Sequence, residues 1–212
     1  PGGVTVTEIE ERCTIPNALF GALTNLRTTT VYLDYADRKI GSITFPDGRI
    51  DRYGYAQGTY DENLLDPTFT PDSGVYRRVS VVHEGGGNPA LIPGKTTQET
   101  YVNDADGHRV LDETWVYAPG GEFVRIDWKA SRLDQRGHEV ETRRADGRVT
   151  NSQWGCCHLE AFTDETGVTT SYTYDWKGRI LTESGVRVFG IPYVTTHARD
   201  CGGYANMKVT TT

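Results

Sequence analysis

Short runs along this chain alternate between residues that suit a buried face and residues that suit solvent. Val168, Thr170, Tyr172 and Tyr174 fall on one side of a two-residue period, and Thr169, Ser171 and Thr173 on the other. That period marks a half-buried strand. Leu111, Glu113, Trp115 and Tyr117 alternate likewise with Val110, Asp112, Thr114 and Val116. Turn signals separate the runs at intervals of about ten residues. Through Gly137–Glu183 they are Asp134–His138, Ala145–Arg148, Gly155–Cys157, Asp164–Gly167 and Asp175–Arg179. Asp-Gly and Asp-x-x-Gly reverse a chain because Gly takes positive φ freely and Asp bonds the backbone just ahead of it. The predicted fold is all-β, a meander of antiparallel hairpins.

The same pattern divides the chain. Residues 1–27 form a lead, in which Val4 and Val6 alternate with Thr5 and Thr7 as an edge strand would. Ile15, Leu19, Phe20 and Leu23 sit at helical spacing within Ile15–Leu26, but Gly21 leaves a short helix and an irregular turn equally open. Residues 28–55 read as three strands joined by turns at Asp37 and Asp47. Residues 56–95 break the rhythm with Asp66-Pro67, Pro71–Gly74, Gly85–Pro89 and Pro93-Gly94. They read as a loop-rich insertion carrying one good strand, Val75–His83, and loops of this kind on a rigid scaffold are where binding often resides. Residues 96–184 are the main meander. In 185–212, Val186–Tyr193 and Tyr204–Thr212 read as strands on either side of Asp200–Gly203. Tyr35–Tyr55 aligns with Leu133–Trp154 as an internal repeat, and Gly107 to Gly137 is 30 positions where Gly147 to Gly178 is 31. Units that cannot bury a face alone imply a sheet extended by stacking.

Composition sharpens this. Of 212 residues only 36% are apolar, with 24 Gly, 12 Tyr and one Met, which suits strands and turns rather than helices. The net charge of −7 argues against nucleic acid as the main partner, because phosphate binding needs clustered Lys and Arg. No apolar run approaches the length of a membrane span. The chain starts at Pro1 rather than Met, so it is expected to be a processed or excised piece.

Candidate chemistry is sparse. Cys13, Cys156, Cys157 and Cys201 allow three pairings, and on a strand Cys156 and Cys157 would face opposite sides. The expected arrangement joins Cys13 and Cys201 to this dyad, worth about 3–5 kcal/mol for such long loops. Cys156-Cys157-His158 has the wrong spacing for a zinc clip or haem attachment, so neither a metal nor another cofactor is expected. A cysteine nucleophile served by His158, His138 or His197, or a pair among Glu139, Glu141, Asp164, Glu165 and Asp175, would be the enzymatic alternative. Most of these acids stand where turns want them, and no enzyme is expected. Trp115, Trp128, Trp154 and Trp176 are candidates for stacking on a glycan, with strand packing as the plainer role.

Tyr174-Asp175-Trp176-Lys177-Gly178-Arg179-Ile180 resembles the YD-repeat signature of Rhs proteins: Tyr-Asp, two variable residues, Gly-Arg, then an aliphatic. Thr169–Thr173 resembles its lead-in. Tyr35–Ile40 is similar but lacks the turn Gly, and Thr44–Arg49 resembles the second turn of the same repeat, with Asp47, Gly48 and Arg49. Tyr101–Val110 and Leu133–Val140 look like degenerate copies, and Trp154–Cys157 resembles an element of bacterial Rhs-like chains. The resemblance covers residues 28–55 and 98–184 well and the remainder poorly. It implies an extended, curved YD-repeat-like sheet with Asp37, Asp47, Gly48, Arg49, Gly107, Gly137, Asp146, Gly147, Arg148, Tyr174, Asp175, Gly178 and Arg179 as turn residues. It further implies a non-enzymatic segment of an exported or cell-surface bacterial protein, with the periplasm as another setting. Such a segment would serve as shell wall or as a self-assembling surface subunit. Its partners would be protein, either copies of itself or the rest of a parent chain. A carbohydrate- or protein-binding adhesion module is the alternative.

Overall fold

The computed structural model describes residues 5–63, 65–85, 91–186, 190–199 and 206–211. Strands account for its regular structure, and no helix occurs among the described residues. The first half holds β1 (Val6–Arg12), β2 (Leu26–Asp34), β3 (Lys39–Thr44), β4 (Ile50–Asp61), β5 (Thr68–Pro71), β6 (Tyr76–Glu84), β7 (Thr97–Asn103) and β8 (Arg109–Tyr117). The second holds β9 (Phe123–Leu133), β10 (Glu139–Arg144), β11 (Val149–Trp154), β12 (Leu159–Thr163), β13 (Thr169–Tyr174), β14 (Ile180–Val186), β15 (Pro192–Arg199) and β16 (Asn206–Thr211).

Strand neighbours follow chain order from β1 to β16 in one open sheet, with β5 off the path and paired on β4. Neighbouring strands pair antiparallel, as a chain of tight turns requires. The expected meander is therefore present. Residues 1–63 with 67–128 form one compact unit, and 64–66 with 129–212 form another; β9 runs from the first into the second.

In the first unit β4 is the long strand. It pairs with β6 from Ile50↔Glu84 to Gly58↔Tyr76, and its far end also pairs with β5. Residues 56–95 thus contribute paired strands as well as loops. A Cβ at Gly58 would lie 2.2 Å from the Thr70 carbonyl oxygen, so only Gly admits that close strand. The core is small: Val102 and Leu111 are fully buried, with Val81, Val110, Tyr32 and Tyr60 nearly so. In the second unit Ala130, Ser131, Glu141, Thr142 and Thr195 are buried. In β13 burial alternates residue by residue, with Thr170, Tyr172 and Tyr174 on the inner side as the sequence pattern predicts.

Ile15–Leu26, open between a short helix and an irregular turn on its sequence, takes the irregular form. It is a string of turns closed by Ala18→Ile15, Ala22→Leu19 and Asn25→Ala22 amide-to-carbonyl bonds. Asn17 and Gly21 sit at positive φ, which no right-handed helix admits. The Glu11 carboxylate holds the loop by accepting from the Gly21 amide and from Asn25 Nδ2. Leu19, Phe20 and Leu23 are left exposed. Val186–Tyr193 do not form the one strand expected: β14 ends at Val186, Gly190 has φ 76, and β15 starts at Pro192. Val4 and residues 86–90 and 200–205 lie outside the described residues.

Candidate functional site

The turns are built to one plan. In seven of them residue X receives, at its carbonyl, the amide of X+3, and donates its own amide to the carbonyl of X+4; X is Phe45, Asp104, Ala118, Asp134, Arg144, Asp164 or Asp175. The X+3 residue is always Gly at positive φ: Gly48, Gly107, Gly121, Gly137, Gly147, Gly167 and Gly178. This is a three-residue hairpin loop ending in a glycine bulge. Aspartate serves it from either of two places. Asp134 and Asp175, at X, accept the amides of X+2 and X+4 on one oxygen. Asp47 and Asp146, at X+2, accept the X+4 amide. The second carboxylate oxygen then takes the side chain of X+4. Arg49 reaches Asp47 at 2.6 Å, Arg179 reaches Asp175 at 2.7 Å, Arg148 pairs with Asp146, and His138 Nδ1 lies 3.0 Å from Asp134. These donors hold the carboxyls below their usual range; the Arg179 guanidinium, followed by its own amide, takes Asp175 down to about 2.

Asp37 lies in an eighth reversal that closes with the Arg38 amide on the Tyr35 carbonyl at 3.2 Å. Here Arg38, not Gly, stands at the X+3 place, with φ 54.

Three hairpins share a further device. Tyr55, Trp154 and Tyr174, each seven positions after a turn glycine, donate to the carbonyls of Ile40, Glu139 and Leu159 at 3.0, 3.0 and 2.7 Å. The residue before each of those carbonyls covers the ring. Lys39 Nζ stands 4.7 Å from the Tyr55 centroid, and the rings of His138 and His158 stack on Trp154 and Tyr174 at 4.5 and 4.6 Å. The aromatic thus seals the open end of its hairpin while the Gly bulge closes the other. Sequence reasoning missed this unit, although its spacing is constant: the covering residue, the Gly nine positions on, the aromatic sixteen positions on.

Several acids on the strands are paired with cations. Buried Glu113 accepts from Thr100 Oγ1 at 2.7 Å and from Arg125 Nη1 at 2.9 Å, and Arg125 also donates to the Pro67 carbonyl. Trp115 Nε1 donates to the same Thr100 hydroxyl at 3.2 Å. In the other unit Glu141 pairs with Arg132 and Arg143, and Glu139 with Lys129 and Ser131. Burial would raise the Glu139 carboxyl, but the Ser131 and neighbouring hydrogen bonds outweigh it and leave it lowered.

Cys156 and Cys157 lie in the bend between β11 and β12 rather than on a strand, because the Gly155 amide closes onto the His158 carbonyl at 2.9 Å. Cys13, Cys156 and Cys157 are free exposed thiols, so the expected fastening of Cys13 to the dyad is not made; Cys201 lies outside the described residues. The adjoining Cys156 thiol pushes Cys157 up. Arg136 donates to the Cys156 carbonyl at 2.7 Å, and this bend lines a shallow cleft of about 450 Å³ with Asp134 and Trp154. Of the tryptophans, Trp176 is 87% exposed on the Asp175 turn with Lys177 over its ring, while Trp115, Trp128 and Trp154 are partly buried. The four do not form one exposed aromatic face. Asp104, Asp106 and His108 bring ligand-type atoms within 4.8 Å of one another, but Asp104 is already the acceptor of its own turn.

No protein-family model matches this chain. No curated protein matches it either. Among solved structures it is similar to a chain described as "Crystal Structure of TcdB2-TccC3-Cdc42", at 11% identity and a TM-score of 0.30. That likeness covers 82% of this chain and 11% of the other, so the present chain spans about a tenth of its neighbour's length.

Proposed function

We propose that the chain is a non-enzymatic scaffold segment of YD-repeat type. In this reading it belongs to an exported or cell-surface bacterial protein and acts as a stretch of wall. The observation that carries the reading is the repeated hairpin: one turn geometry, one aromatic seal and one covering residue, recurring where the sequence resembles YD repeats. A repeat that spends its Asp, Arg, Tyr and Trp on closing its own hairpins is suited to extending a sheet. The ion pairs that hold Glu113 and Glu141 favour the scaffold over hydrolysis by paired carboxylates.

Edge chemistry favours a wall segment over a self-assembling subunit. Among the described residues β1 pairs with β2 alone and carries Glu8, Glu10 and Glu11 against one Arg12, so two copies meeting β1 to β1 would repel. Light scattering and electron microscopy across a range of concentrations test this. Monomers at every concentration support the wall segment. Ordered oligomers or filaments would replace it with the assembling subunit.

A further inference from the structure

Eight of the hairpin turns that directly join consecutive strands share the amide-to-carbonyl closure from X+3 to X, and seven of these have Gly at positive φ in the X+3 place. The exception is Arg38. A long side chain held in the left-handed region costs free energy, and such outliers gather at binding sites. Arg38 stands at one side of a cleft of about 450 Å³ that also receives Lys39, Tyr55, Gln57, Arg77 and Asn103. Gln57↔Arg77 and Arg77↔Asn103 are register partners across β4, β6 and β7, so one row presents a guanidinium between two carboxamides on one face. Tyr55, two residues from Gln57, shares that face, with the Lys39 ammonium over its ring.

The cations here lack an ion-pair partner among the described residues, while Arg38 also engages Tyr32. Arg49, Arg148 and Arg179 each pair with a turn Asp, and Arg52, Arg109, Arg125, Arg132 and Arg143 each pair with an acid. Among the described residues none of Arg38, Lys39 and Arg77 is in a salt bridge. Asp47 takes Arg49 and Asp146 takes Arg148, but Asp37, at the equivalent place, takes neither Arg38 nor Lys39. Arg38 lies over the Tyr35 ring at 4.7 Å instead. Four cations, with Arg78 the fourth, against one carboxylate, in a chain of net charge −7, is a local reversal of sign.

We propose that this cleft binds a small polyanion bearing two or more carboxylate or phosphate groups. Arg38 and Arg77 supply planar forks that match either oxyanion, and Lys39 adds a point charge. Asn103 donates to and accepts from hydroxyl or amide groups on the same ligand, and Gln57, whose Nε2 also donates to the Gly74 carbonyl, accepts through its oxygen. The site is independent of the scaffold role.

Calorimetric titration of the full chain with citrate and with pyrophosphate, at low ionic strength in a zwitterionic buffer, tests the proposal. Saturable one-to-one binding is expected, and the tighter probe names the oxyanion. Arg77→Ser should weaken it by about tenfold or more. Arg38→Gly should weaken it comparably without lowering the melting temperature, because it also relieves the backbone; a purely structural arginine would not separate the two readouts. Arg144→Ser, on the β10 turn of the other unit, should leave affinity unchanged. The proposal is overturned if neither probe saturates, if binding survives both Arg77→Ser and Arg38→Gly, or if Arg144→Ser weakens it equally.

Discussion

Replacing Gly147 by Ala isolates the contribution of a bulge glycine. Its φ is 83, and a Cβ built there has nothing within 4 Å, so the substitution meets no steric obstacle. What remains is the left-handed backbone itself, which costs an L-residue about 1–2 kcal/mol. Ala also narrows the unfolded ensemble, returning about 0.4–1 kcal/mol. The net expectation is a destabilisation of about 1 kcal/mol. Gly178 has a similar φ of 74, but its Cβ would lie 2.8 and 3.0 Å from the His158 ring that stacks on Tyr174. Gly178→Ala therefore carries the same backbone cost and also displaces the ring. Losing that contact adds about 0.5–1.5 kcal/mol. Both glycines belong to the second compact unit, so one urea titration compares them in the same transition, followed by fluorescence and by far-ultraviolet circular dichroism. Gly147→Asn should fall between wild type and Ala, since Asn tolerates this region better. A neutral Gly147→Ala, or a Gly178→Ala no more costly than Gly147→Ala, would refute the reasoning.

Three other outcomes are expected. Tyr55→Phe and Tyr174→Phe keep the ring and lose the bond to the Ile40 or Leu159 carbonyl, so each should cost its own unit about 0.5–1.5 kcal/mol in denaturant unfolding; no loss at either would mean the seal is packing alone. Glu113→Ala leaves Arg125 buried beside Thr100 without its carboxylate and should cost about 3–5 kcal/mol, with the first unit's transition moving and the second's unmoved. The folded carboxyls of Asp175, Asp146 and Asp47 lie below their unfolded values, so the stability they lend is present above about pH 4 and lost as pH falls toward about 2. Melting temperature should therefore drop across that window, and by less in Asp175→Asn; a flat profile would contradict it.

Strands and turns were legible because their signals are local. A positive-φ glycine after an aspartate and a two-residue alternation need no knowledge of the remainder of the chain. The helix option at Ile15–Leu26 arose from four apolar residues at helical spacing, yet those residues have no core to face, and Glu11 holds the loop by its amides. The turn signal at Gly155–Cys157 marks the bend that holds the cysteine dyad, so the strand alternation behind the disulfide expectation does not apply there. The Glu113–Arg125–Thr100 network could not be read, since it joins side chains on three strands and no local signal says which residues of separate strands face one another. Arg38 was visible only as a missing glycine. That absence looked like decay of the repeat, whereas the backbone there keeps the turn and changes the side chain.

Strand neighbours in this sheet are chain neighbours, apart from the β5 excursion on β4. Each strand can therefore meet its partner soon after it leaves the ribosome, and few pairings wait on distant chain, which lowers the loop-closure cost that slows most β proteins. The same order sets a parity rule for lineage. Adding or deleting two consecutive strands, such as β12 with β13, leaves β11 and β14 still antiparallel and able to pair. Adding or deleting one strand would set its neighbours parallel with no crossover long enough to connect them. A chain of this kind can lengthen by duplicating hairpins and is expected to gain or lose strands in pairs.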